Sequence, residues 1–395
     1  MNKTKDKISF EAVLFCIYIA LMPIHQVLRL GDGSTVNKYL AFIIMAVIFV
    51  SQSVKRGKLY LDKYLLMPAL YFVTWCFLTC LWSGEIINPL LSVSTIYSHI
   101  FMFLVVCTNK WNDREKKWFL NVLLISCLYF SISIIGASKS MTRATFVYDA
   151  GTGDMEADQN LIAVSIGMGA LVAVNLFATS DRKGFLYIIV FAVMILAVIA
   201  TGSRGGLGST VIAVLYMFFC NKNNERFKKK FYFVFLIFIL LLFAVFFFNV
   251  FGNDIIKDRF VGDQKFDTSG RSEITVEYLE AMNSRPWSYL IGVGYKCSGV
   301  LYSQYFNTKY PPATHNELIG FVCETGVIGL ILFVSLIVKV WKMNKYVFDD
   351  YLGRAFLLLV VIAAFDIDIC SRYAFWIGMI FAYIGVGKHN GEING

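Results

Sequence analysis

Two arginines in glycine-flanked turns are suited to binding a phosphate group. Arg204 lies in the run TGSRGG, and Arg271 lies in SGRS directly before a predicted helix. A guanidinium offers several fixed N–H donors that match phosphate oxygens, and the free N–H groups of a following helix favour the same anion. Each arginine also fits a simpler role, because Arg204 could reach lipid headgroups and Arg271 could lie on a loop surface.

A histidine near a predicted helix start is the candidate for proton transfer. The run Thr314-His315-Asn316-Glu317 fits a capping box, with Thr314 as the N-cap and Glu317 reaching back to it. His315 would then lie in the first turn, where the helix dipole disfavours its protonated form. A neutral imidazole can accept a proton from a hydroxyl, and Glu317 is the second candidate base. A simple interfacial histidine is the alternative.

Further polar residues gather at the predicted outer ends of the helices. Glu324 follows Glu317 by seven residues, about 10 Å along a helix and on the same face. Nine residues separate it from His315, so we expect no His315–Glu324 dyad, and Glu324 could instead pair with a neighbouring helix. Our candidates for substrate binding are Asn160, Ser203, Asn316 and Glu324, while the roles of Asp366, Asp368 and Arg372 stay open.

The remaining histidines and the cysteines predict neither a metal site nor a cofactor. His25 and His99 lie in apolar runs and are interpreted as core residues, and His389 lies in a polar tail. All of the 9 cysteines except Cys297 lie in apolar runs, as expected of core packing. We therefore expect a site that works without a metal ion.

The composition indicates a membrane protein that must position these residues. Hydrophobic residues make up 57% of the 395 and charged residues 16%, with a mean hydropathy of +0.63. These values exclude a soluble globular enzyme, a disordered chain and a disulfide-stapled secreted domain. Stretches of about 20 apolar residues predict an all-α polytopic membrane protein with about twelve spans, near 10–28, 38–54, 64–83, 90–108, 117–136, 159–178, 184–201, 205–220, 231–251, 316–341, 353–370 and 372–387.

The basic residues predict the orientation of these spans. The chain carries a net charge of +9, and most Lys and Arg fall in alternate loops, which places both termini in the cytoplasm. No nucleic-acid partner is needed to explain them. The prediction divides one membrane domain into helices 1–251, a large extracytoplasmic loop 252–315, and helices with a tail 316–395. In the loop, Ile274, Tyr278 and Met282 recur every four residues before Pro286, as in an amphipathic helix that lies on the membrane surface or covers the site.

The combined motifs resemble the O-antigen ligase and polysaccharide polymerase family of bacterial envelopes. The runs that carry the resemblance are TGSRGG, SGR, HNELIGFVCETGVIGL and the DQN before the sixth span. The resemblance implies a GT-C-like membrane glycosyltransferase of the inner membrane, with its site outside the cytoplasm. Its donor would be a glycan on undecaprenyl pyrophosphate, transferred to a hydroxyl with inversion and without metal. Arg204, Arg271 and His315 match the family's key positions.

Several functions fit this resemblance. We expect a repeat-unit polymerase, working with a chain-length regulator, in preference to a ligase, because no feature for holding a lipid A–core acceptor is evident. A transporter of lipid-linked saccharide is a further alternative, but transporters often have internal repeats and helices broken at the midplane. A scaffold protein of the envelope is a third, and it would not need Arg204.

Overall fold

The computed structural model is helical throughout the part of the chain that it describes, which is residues 7–25, 28, 35–57, 61–85, 87–137, 158–179, 184–220, 270–367, 370 and 372–387. We number the helices in the order in which they are described. They are α1 Phe10–Ala20, α2 Val36–Arg56, α3 Lys63–Thr79, α4 Ile87–Thr108, α5 Asp113–Ala137, α6 Gln159–Thr179, α7 Gly184–Ala200, α8 Arg204–Cys220, α9 Arg271–Asn283, α10 Ser288–Ile291, α11 Ser298–Phe306, α12 Glu317–Met343, α13 Tyr351–Ala363 and α14 Tyr373–Ile384.

Six described helical segments are long and apolar enough to cross a membrane. They are Val36–Val54, Lys63–Trp82, Pro89–Thr108, Asp113–Gly136, Gln159–Thr179 and Glu317–Phe348. Helices of 10–17 residues stand at five more of the predicted spans, namely α1, α7, α8, α13 and α14. The predicted span 231–251 lies outside the described residues. The chain is therefore a multi-pass membrane protein, and the number twelve stays a prediction.

Helix α6 forms the centre of the described bundle, where it contacts α5, α7, α8 and α13. All its residues from Leu161 to Val174 are buried. Two glycines allow this close packing: a Cβ at Gly167 would collide with Thr210 of α8, and a Cβ at Gly169 would collide with Cys127 of α5. Small residues at such contacts are how helices approach each other in membranes. Helix α6 thereby fixes the start of α8 beside its own start.

Helix α12 is interrupted at Gly326, where the backbone has φ 69° and ψ 179°. A break in an apolar environment requires new partners for the released carbonyl groups. The N–H groups of Val293 and Gly294 donate to the carbonyls of Cys323 and Glu324, each at 2.9 Å. The indole of Trp75 donates to the Thr325 carbonyl at 2.7 Å. The contact that requires a glycine here is the backbone at Leu290, with which a Cβ at position 326 would collide.

The helices of the 270–315 segment pack on each other and on the start of α12. Tyr278 and Met282 of α9 are buried in a small apolar cluster with Leu301 and Cys323, and Ile274 packs against it. The Tyr278 hydroxyl also donates to the Pro312 carbonyl at 2.7 Å. The predicted amphipathic helix is therefore confirmed, but the expectation that its apolar face lies on the membrane is wrong, because protein covers that face.

We expect Gly326→Ala to destabilise the protein strongly. A Cβ at this position would meet the Leu290 carbonyl, and the positive φ costs an L-residue extra energy, so the loss should be at least about 2 kcal/mol. The measurement is the thermal unfolding midpoint in detergent. Gly136→Ala is the control, because nothing lies within 4 Å of a Cβ there. Equal midpoints for the two variants would contradict the role of the break.

Candidate active site

A serine N-cap joins the starts of α6 and α8. Ser203 precedes α8 and its Oγ accepts a hydrogen bond from the Gly206 N–H at 3.1 Å, as an N-cap residue does. The same hydroxyl donates to Asn160 Oδ1 at 2.7 Å. Asn160 is itself fixed, since its N–H donates to Asp158 Oδ1 at 2.9 Å. Two predicted substrate-binding residues are therefore in direct contact, and both support the turn that carries Arg204.

Both arginines are the first residues of helices, as their sequence settings predict. Arg204 opens α8 after Gly202, which has φ 68°. Arg271 opens α9 after Gly270, which has φ 75°. Both side chains are partly exposed. Each arginine therefore lies at a helix N-terminus, where the helix dipole favours an anion.

An aspartate from the end of α13 connects the two arginine turns. Asp366 forms an ion pair with Nη1 of Arg271. The same carboxylate packs directly on the backbone of Gly205, where a Cβ would collide with it. Gly205 is the residue after Arg204, so the Arg204 turn and the Arg271 helix meet at Asp366. The role of Asp366, which the sequence left open, is therefore to join these two elements.

Glu317 ties the start of α12 to the turn between α13 and α14. Its N–H donates to the Ala364 carbonyl at 2.9 Å. Its carboxylate is buried and accepts a hydrogen bond from the Cys370 N–H at 3.3 Å. Ala364 lies two residues before Asp366. The start of α12 therefore adjoins the same turn that holds Arg271.

The expected capping box is wrong in its register. Asn316 is the N-cap of α12, and its Oδ1 accepts from the N–H groups of Leu318 at 3.0 Å and Ile319 at 3.2 Å. Glu317 turns to Cys370 instead of reaching back to Thr314. His315 therefore precedes the helix, exposed and with φ 48°. An asparagine offers a better cap than threonine, which is the sequence signal that could have given the correct register.

Glu324 belongs to a different set of contacts. It is buried, and its Oε1 accepts a hydrogen bond from Ser298 Oγ at 2.8 Å. Ser298 opens α11, so this bond fastens the loop helices to α12. Tyr295 lies near Glu324 and Glu317, and its pKa is raised well above the usual value by burial, with both carboxylates adding to the effect and Lys296 opposing it.

The arrangement combines two guanidinium cations with two carboxylates and an imidazole at one end of the bundle. Arg204, Arg271, Asp366, Glu317 and His315 all lie at or beside the junction of α8, α9, α12 and α13. No group of three or more His, Cys, Asp or Glu side chains in the described residues could hold a metal ion. Such a site can neutralise a departing oxyanion and accept a proton.

Comparison with known proteins identifies the segment that carries these residues. Residues 188–334 match the family model described as O-antigen ligase. A Rickettsia conorii protein named "Putative polysaccharide ligase" is 24% identical over 287 residues, which are 69% of this chain and 66% of that protein. A Rickettsia felis protein of the same name is 23% identical over 288 residues, 69% of this chain and 67% of that protein. The chain thus spans about two thirds of the length of these relatives.

The matched segment contains Ser203, Arg204, Arg271, His315 and Glu317, and the structure adds Asp366 from outside it. Three of the four runs that carry the resemblance lie inside the matched segment, and DQN before the sixth span lies outside it. Over residues 188–334, this chain is therefore similar to the O-antigen ligase family.

Proposed function

We propose that this protein is a membrane ligase that transfers a lipid-linked polysaccharide to an acceptor hydroxyl. The observation that carries the proposal is the contact of Asp366 with both Arg271 and the Arg204 turn, because it assembles two cations where a diphosphate would leave. The family match and the names of both relatives favour a ligase over the polymerase that the sequence alone led us to expect. A ligase and a polymerase differ in the acceptor to which they transfer the glycan.

The proposed reaction is a single displacement at the anomeric carbon. The acceptor hydroxyl forms the new glycosidic bond while the bond from that carbon to the diphosphate breaks, which inverts the configuration. The diphosphate leaves on its lipid, undecaprenol in our proposal, and carries the electron pair of the broken bond. Arg204 and Arg271 stabilise its charge, since placed donors act best where charge develops in the transition state. No metal ion or cofactor takes part in this scheme.

His315 is the proposed acceptor of the hydroxyl proton. It is exposed beside the start of α12, where a substrate hydroxyl can reach it. Glu317 is the weaker candidate, because its carboxylate is buried and bonded to the Cys370 N–H. Asn160 and Ser203 act on the substrate indirectly in this proposal, by holding the Arg204 turn. Asn316 positions His315 by capping α12.

The site lies outside the cytoplasm in this proposal, with both termini inside and the protein in the inner membrane. The distribution of basic residues supports this orientation. A cysteine introduced at Tyr310, which is 89% exposed, measures the orientation through its reaction with a membrane-impermeant maleimide. Labelling of inverted vesicles but not of intact cells would reverse the topology.

Reconstitution with defined substrates tests the function. We expect the purified protein to transfer a glycan from undecaprenyl pyrophosphate only when lipid A–core is also supplied, because a ligase needs a separate acceptor. The measurement is gel separation of labelled glycan. Chains that grow from the lipid-linked donor alone would instead establish a polymerase. Movement of the donor across the bilayer without a new glycosidic bond would establish a transporter.

Arg204→Ala and Arg271→Ala should each lower the rate of this transfer while the protein stays folded. Loss of one donor that stabilises the leaving group costs about 2.7–4 kcal/mol of barrier, or about 100- to 1000-fold in rate. Arg285→Ala is the matched control, because Arg285 is exposed and its guanidinium donates a hydrogen bond to Gln304. Equal transfer rates for all three variants would contradict the role of both arginines.

Gly205→Ala should also lower the transfer rate, although it removes no charge. The new Cβ would displace the carboxylate of Asp366 and with it the ion pair that orients Arg271, a misplacement that we expect to cost about 10- to 100-fold. Gly208→Ala is the control on the same helix, because a Cβ there meets nothing within 4 Å. An unchanged rate for Gly205→Ala would show that Asp366 does not position Arg271.

A further inference from the structure

A row of exposed apolar side chains follows one face of α12 after its interruption at Gly326. The side chains recur every three or four residues, which places them on one side of a helix. They belong to the segment Glu317–Phe348, which is long and apolar enough to cross a membrane. Each is 40% to 61% exposed, and the members are Val327, Ile331, Val334 and Val338. This face, which we name the lipid-facing row, is therefore the surface that acyl chains cover.

The short helix α10 adjoins the start of the lipid-facing row. Gly326 packs so closely on Leu290 that a Cβ there would collide with the Leu290 carbonyl. After α10, the Gly292 carbonyl accepts a hydrogen bond from the Trp82 indole at 2.9 Å, and Trp82 ends one of the spanning segments. Residues 327–348 of α12 suffice to cross a bilayer, which takes about 20 residues. Helix α10 thus lies where two spanning segments reach the membrane surface.

Two large apolar side chains of this region are exposed on one face. Trp287, the N-cap of α10, is 45% exposed, and Leu290 is 59% exposed. Because three residues separate them, they are neighbours on the helix surface. Protein holds the other side of α10, since Ser288 is buried and the Tyr289 hydroxyl donates to Asn283 Oδ1 at 2.8 Å. Grouped apolar side chains on a surface indicate a contact with something other than water.

We propose that Trp287 and Leu290 insert into the membrane and form an anchor for the helices α9 to α11. Leu290 continues the lipid-facing row beyond Val327, and Trp287 has the amphipathic ring that is typical of a membrane–water interface. This continuity favours a lipid surface, because the acyl chains that cover α12 also reach both residues. Helix α9 directly precedes the anchor and begins with Arg271, so the anchor holds that helix at the membrane. The inference does not rest on the proposed function.

Quenching by brominated lipid tests the anchor in the full-length protein. Leu290→Cys is labelled with bimane in a Cys220→Ser background, because Cys220 is exposed and the other eight cysteines are buried. The protein is reconstituted into phosphatidylcholine that carries bromine in the upper part of its acyl chains. We expect quenching within twofold of that at Ile331→Cys, on the lipid-facing row. Tyr310→Cys, 89% exposed in the same segment, is the unquenched control. Quenching of Leu290→Cys no stronger than that control would overturn the proposal.

Leu290→Asp tests whether insertion determines the position of the anchor. A carboxylate is costly in hydrocarbon, so bimane on Trp287→Cys should lose at least twofold of its lipid quenching when Leu290→Asp is added. Leu290→Ile is the matched control and should keep the quenching. Because Leu290 is 59% exposed, we expect both variants to stay folded, which the thermal unfolding midpoint in detergent verifies. Unchanged quenching in folded Leu290→Asp would overturn the proposal, and the Leu290→Cys measurement decides it without this variant.

A second copy of the chain is the competing occupant of this surface, and nanodiscs that hold a single copy exclude it. Unlabelled Leu290→Cys and Tyr310→Cys are reacted there with a water-soluble maleimide. If lipid covers the anchor, Leu290→Cys should react at least tenfold more slowly than Tyr310→Cys. Equal rates would show that water reaches Leu290 once no second copy is present, and they would overturn the proposal. Neither measurement reads glycan transfer, so failure of the proposed function would leave both results unaffected.

Discussion

Asp366 bonds to the guanidinium of Arg271 while its carboxylate rests on the backbone of Gly205. This contact brings together residues that are about 60 to 160 positions apart in the sequence, by the numbering of the chain. It requires a glycine on α8, an aspartate at the end of α13 and an arginine at the start of α9. The geometry of the whole candidate site depends on it, because Arg204 precedes Gly205 and Glu317 bonds to the turn that carries Asp366.

Close backbone approach is the means by which the bundle supports this contact. Gly167 and Gly169 let α6 approach α8 and α5, which sets the start of α8 against Asn160. Gly326 and Gly292 let the segment between α10 and α11 lie on the interrupted helix α12. The N–H groups of this segment donate hydrogen bonds to the carbonyls that the interruption releases. The loop helices are therefore fixed to the bundle by hydrogen bonds that a straight helix would not offer.

Opposite charges lie close together around the turn between α13 and α14. Asp366 pairs with Arg271, and the same carboxylate rests on Gly205, the residue after Arg204. Glu317 is buried beside this turn, where its carboxylate accepts a hydrogen bond from the Cys370 N–H. The two arginines are therefore set among acidic groups.

The local features of this protein follow from short stretches of its sequence. Apolar runs predicted every described spanning helix, and glycine next to arginine predicted that Arg204 and Arg271 each open a helix, because such signals act over a few residues. Contacts between distant residues, in contrast, depend on how the helices pack. The N-cap of α12 is Asn316 and not the expected Thr314, and Glu324 accepts a hydrogen bond from Ser298. Helix packing also pairs Arg271 with Asp366, in a contact that no local pattern records.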